Sequence, residues 1–138
     1  MTNVGMVRKG LGLTALCATL TAVPFLAWAA ADASQEVATA ATHAEFSAKA
    51  DTLKMAHEHL HHTLNCLVGP DGKGFDSKAA NPCMDMGAGA IPDTADATAK
   101  KHLEHIAYLA RTALMSKSLV TVHKDAERIA ADLKKIGG

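Results

Sequence analysis

The sequence predicts an all-α protein: an antiparallel helical hairpin that completes its core as a homodimer, or a three- or four-helix bundle, either with one long ordered loop. Three observations predict it. Apolar residues recur with a helical period on both sides of residues 69–92. Glycine and proline concentrate between those two regions. No segment alternates apolar and polar residues with the period of a strand.

The chain opens on a segment that reads as a secretory signal peptide, residues 1–31. Arg8 and Lys9 precede an uncharged, mostly apolar run from Leu11 to Leu26. Ala27-Trp28-Ala29 and Ala29-Ala30-Ala31 then offer small-x-small cleavage sites, so cutting is expected near Ala29 or Ala31. The whole uncharged stretch from Gly10 to Ala31 is long enough to span a bilayer, but the stacked alanines at its end favour cleavage over anchoring. Leu16 before Cys17 is too large for a lipoprotein signal. The expected address is the periplasm or the exterior, with no integral membrane segment after cleavage.

Removing residues 1–31 from the 138 leaves 107, residues 32–138, the size of a single helical domain. That part carries 12 basic and 14 acidic residues, a formal charge of −2. A near-neutral chain lacks the positive patch that nucleic acid or an anionic membrane requires, so no nucleic-acid partner is expected. Trp28 and Cys17 leave with the signal, whereas all 8 histidines stay.

Helix A is expected from Gln35 or Thr42 to Leu67. Thr42-His43-Ala44-Glu45 reads as a capping box, which places the start near Thr42. Phe46, Leu53, Leu60 and Leu67 recur every seventh residue, with Ala50, Ala56 and Leu64 beside them. The loop, residues 68–92, contains Gly69-Pro70-Asp71-Gly72, Asn81-Pro82 and Pro92, and is anchored by Phe75, Ile91 and cysteine. Helices B and C fill 93–136. Ala99, Leu103, Ile106, Ala110 and Leu114 form one stripe; Leu119, Val122, Ala126, Ile129, Leu133 and Ile136 form another. The stripes are out of phase around Ser116-Lys117-Ser118, so a turn is expected there, the alternative being one long helix whose buried face shifts.

Two cysteines remain, Cys66 and Cys83. In an oxidising compartment an even pair predicts a disulfide, here tying the loop to the end of helix A. Thiolate ligation of a metal is the competing reading.

Histidine carries the functional signal. His57-Glu58-His59-Leu60-His61-His62 places ligands on both flanks of one helix. With Leu60 inward, His57 and His61 lie about 60° and 100° away on one side. Met55, His59, His62 and Cys66 fall within about 60° of each other on the other side. His102-Leu103-Glu104-His105 forms a second cluster. If helices A and B are antiparallel neighbours, His59 lies level with His102 and His57 with His105. The expected metal ligands are therefore His57, His59, His61, His62, His102 and His105, while His43 and His123 fall towards the other end. Imidazole suits copper, zinc, nickel and cobalt, and Met55, Met84 and Met86 tilt the choice towards copper, with zinc beside it.

The function expected is binding of a transition metal ion for buffering, sequestration or resistance, without catalysis. The alternative is a helical adaptor or chaperone-like bundle that binds protein or peptide without metal. His57-Glu58-x-x-His61 matches H-E-x-x-H, but a short helical chain offers no sheet edge to hold a substrate for a zinc hydrolase. C-x-x-C-H is absent, and a non-covalent b-type haem would find few large aromatics for its pocket.

Asn65-Cys66-Leu67-Val68-Gly69-Pro70, Phe75-Asp76, Asn81-Pro82-Cys83 and Gly87-Ala88-Gly89-Ala90-Ile91-Pro92-Asp93 together resemble a loop signature of exported, His-rich helical proteins of Gram-negative bacteria. The resemblance implies the extracytoplasmic compartment and a defined loop. The function of that family is unassigned, and no site residue is taken from it.

Overall fold

The computed structural model describes residues 33–137. The signal-peptide reading of residues 1–31 therefore lies outside the described residues. Among those residues the structure is all-helical: α1 (Ala33–Ala48), α2 (Leu53–Val68), the short α3 (Ala90–Asp93), α4 (Ala97–Leu114) and α5 (Leu119–Gly137). The four long helices pack as a bundle, α1 against α2 and α5, and α4 against α2 and α5. No described helix is long and apolar enough to cross a membrane.

The expected helix A is two helices. It breaks at residues 49–52, where Thr52 takes an extended conformation and its side chain accepts a hydrogen bond from the Met55 N–H, capping α2. The predicted start at Thr42 lies inside α1, and the Thr42 hydroxyl instead donates to the Ala38 carbonyl. The seven-residue repeat Phe46, Leu53, Leu60, Leu67 therefore spans two elements, and Phe46 is 48% exposed.

The break folds α2 back along α1. Small buried residues on α1, Ala40, Ala44 and Ser47, let the two backbones approach closely. The Ser47 hydroxyl donates to the Ala56 carbonyl at 2.8 Å, and the Thr63 hydroxyl reaches the Ala40 carbonyl at 3.3 Å. Both pairs have residue numbers summing to about 103, as a tight antiparallel hairpin requires. α5 runs antiparallel to α1: His123 near its start contacts the Ala50 carbonyl at 2.9 Å, and Gly137 at its end lies against Val37. Leu60, Leu64, Leu67, Leu103, Ile129 and Leu133 fill the centre and are fully buried.

The turn between α4 and α5 falls at residues 115–118, where the change of stripe phase predicts it. α4 starts later than expected, at Ala97, because Asp96 is its cap: the Asp96 carboxylate accepts from the Ala99 N–H at 2.7 Å.

The long loop is pinned at both ends. The Cys66–Cys83 disulfide forms as expected, with Cα atoms 5.2 Å apart. Beside it, the buried Asn65 side chain accepts from the Asp76 N–H and donates to the Asp76 and Ala80 carbonyls at 2.9–3.1 Å. Further on, the buried Glu36 carboxylate of α1 accepts from the Gly89 N–H at 2.9 Å. Gly69 ends α2 with φ 68°, and a Cβ there would collide with the Ala88 carbonyl.

Candidate metal centre

The α1–α2 hairpin sets the site. His43 on α1 faces His59 and His62, which lie three residues apart on one face of α2. The His43 Nδ1 is 3.4 Å from the His59 Nδ1 and 3.3 Å from the His62 Nδ1. Among the described residues, this is the group of three or more His, Cys, Asp or Glu side chains whose ligand atoms gather within 4.8 Å of one another.

Hydrogen bonding alone satisfies this arrangement poorly. A neutral imidazole nitrogen carries either one proton or one lone pair, never both. If His43 Nδ1 holds a proton, it donates well to one neighbour. If it holds a lone pair, two donors compete for it. A cation accepts all three lone pairs at once. Two nitrogens bound about 2.0–2.1 Å from a tetrahedral ion are separated by roughly 3.3–3.4 Å. The His43–His59 and His43–His62 spacings fall there, and the ligand atoms of all three lie within 4.8 Å of one another, so the group is suited to a transition metal ion. With Nδ1 as ligand, each ring keeps its proton on Nε2.

The electrostatics favour lone pairs. Burial pushes the His43 pKa from its ordinary 6.5 down to about 4, and the adjacent His62 and His59 push the same way. His62 is 9% exposed, and its pKa is likewise lowered, by burial first and by His59 second. At neutral pH both rings are uncharged and able to ligate. Phe46 flanks the cluster, its ring 5.6 Å from that of His43 in an edge-on arrangement and 5.4 Å from that of His59. The paired cysteines supply no thiolate, so the donor set is three imidazoles.

The other predicted ligands lie elsewhere. His57 and His61 lie on another flank of α2 and line a cavity shared with Asp76 of the loop and with His62. His102 and His105 line a groove between α4 and α5 with Ile106, Asp132, Lys135 and Ile136. Among the described residues, neither pair belongs to a three-ligand group as tight as the triad. The expected pairing of His59 with His102 and of His57 with His105 started from one unbroken helix A. With the break, the partner brought to His59 is His43.

His43 is the member of this triad that sequence reasoning placed outside the site. One signal points to it: Asp51-Thr52 immediately before a periodic apolar run marks a helix start. A hairpin turning there brings residue 43 opposite residues 59–62. The chain matches no family model, no curated protein and no solved structure.

Proposed function

We propose that the protein is exported and binds a transition metal ion, copper or zinc, through His43, His59 and His62, buffering or sequestering it without catalysis. The observation that carries this reading is the convergence of three imidazoles from two helices, with the His43 Nδ1 at ligand–ligand spacing from the Nδ1 atoms of both His59 and His62. Two depressed histidine pKa values support it, because the ligands need not shed protons at neutral pH to bind. Export is supported by the charge and hydropathy pattern of residues 1–31. The disulfide agrees with it, since such bonds persist in oxidising compartments.

The triad holds an ion by two helices at once. Ion binding therefore ties α1 to α2 and stabilises the folded state over the unfolded one. Thermal unfolding with and without Zn(II) or Cu(II) tests this. Ion at about 100 times its dissociation constant adds about 2.7 kcal/mol of stability. For a domain of this size that raises the unfolding midpoint by roughly 10 °C or more. The His43→Ala variant should show little of that rise. An equal rise in both proteins contradicts the assignment.

A further inference from the structure

We infer a second metal site on another flank of α2, formed by His57, His61 and Asp76, which takes a divalent ion of the zinc class. Its three ligands are not those of the triad, although His62 of the triad also lines the cavity they share.

His57 and His61 are four residues apart, one helical turn, and so share a face. The His57 Nε2 and the His61 Nδ1 are both shielded from solvent, and neither makes a hydrogen bond among the described residues. The His57 Nε2 forfeits its hydration without a hydrogen bond to replace it, which is costly. Across from them the loop presents Asp76, whose Oδ2 lies 3.5 Å from the His61 Nδ1. The loop holds Asp76 firmly. Its backbone is bound twice by Asn65, and its Oδ1 accepts the Lys78 N–H at 2.9 Å. One carboxylate oxygen is thus occupied, and the other faces the histidines. The three groups line one cavity of about 410 Å³.

Two imidazoles and a carboxylate suit a borderline divalent ion, whereas a cuprous ion disfavours the hard oxygen. The three atoms are not gathered as tightly as the triad. Side-chain rotation must close the site around the ion. Lys54 and Lys78 line the same cavity and oppose a cation, which Glu58 and Asp76 offset. The second site is therefore the weaker of the two. Because Asp76 belongs to the loop, an ion here would clamp the loop to α2.

Calorimetric titration of the full chain with Zn(II) tests the inference. Two ions per chain are expected, the tighter one at the triad. Asp76→Asn keeps the acceptor for the Lys78 N–H but removes the carboxylate charge. It should weaken the second step by at least about tenfold and leave the first unchanged. His57→Ala should act in the same direction, and His43→Ala should remove the first step alone. A stoichiometry of one in the parent protein, with that step lost in His43→Ala, overturns the second site. So does a second step indifferent to both Asp76→Asn and His57→Ala, with the helical circular dichroism retained. If His43→Ala leaves both steps intact, the triad reading fails while this one survives.

Discussion

Releasing the loop should cost the protein a substantial share of its stability, through two adjacent tethers that act together. The first is the disulfide. Its cysteines are 17 positions apart, and cross-linking a loop of that length removes denatured-state entropy worth about 3 kcal/mol. Both cysteines are buried, so the double change Cys66→Ala/Cys83→Ala removes the bridge without introducing a buried hydroxyl. The second tether is Asn65. Its replacement by Ala deletes three hydrogen bonds and leaves loop groups of Asp76 and Ala80 without their partner. At about 1 kcal/mol for each bond, the loss is roughly 3 kcal/mol. Against a usual total of about 5–15 kcal/mol, either change is severe.

The two losses should not add. Once either tether is cut, the segment around Asp76 can leave α2, and the remaining tether holds a loop that is already partly free. The triple variant should therefore be less destabilised than the sum, by about 1 kcal/mol or more. Urea unfolding followed by circular dichroism measures this. With a slope of about 1.5 kcal/mol per molar, each lesion shifts the midpoint by roughly 2 M. Strict additivity, or a midpoint unmoved by loss of the disulfide, would refute the picture of one loop held twice at the same place.

Three further outcomes follow from the geometry. The metal-free protein should lose stability as pH falls from about 6.5 towards about 4: the unfolded chain protonates His43 over that window while the folded chain resists, so unfolding takes up protons. Proton NMR should find the His43 ring titrating near pH 4, and a midpoint near 6.5 would contradict its buried, neutral state. Ala44→Leu should force α1 away from α2 at a fully buried contact, costing about 1–3 kcal/mol and weakening metal binding, as paired unfolding and titration experiments would show. Gly69→Ala should destabilise by more than about 1 kcal/mol, through both the positive φ and the Ala88 carbonyl; a neutral result in thermal unfolding would mean that the loop closes differently.

The sequence made much of the scaffold legible. Helical periodicity marks α4 and α5 and, through their change of phase, the turn between them. Cysteine parity and compartment mark the Cys66–Cys83 bridge. The break between α1 and α2 is harder to read, because residues 49–52 contain neither glycine nor proline. Phe46 happens to continue the Leu53–Leu60–Leu67 spacing across the break, so the repeat mimics one continuous helix. Half of the residues α1 buries are alanines, which contrast weakly with a polar face. That difference of topology explains why His43, rather than His102, is grouped with His59. His59 and His62 stand out in the histidine run, but their partner depends on which way the chain turns at Thr52. Asn65 is a different case. Its role consists of hydrogen bonds to residues 11 and 15 positions away, and no local pattern encodes those.

The most direct test of the central claim is an equilibrium competition titration of the purified protein and its His43→Ala variant with Zn(II) and copper. The geometry predicts binding at micromolar concentration or tighter, weakened at least about tenfold by His43→Ala while the helical signal is kept. Binding no tighter than millimolar, or binding indifferent to His43→Ala, would contradict a metal centre at His43, His59 and His62.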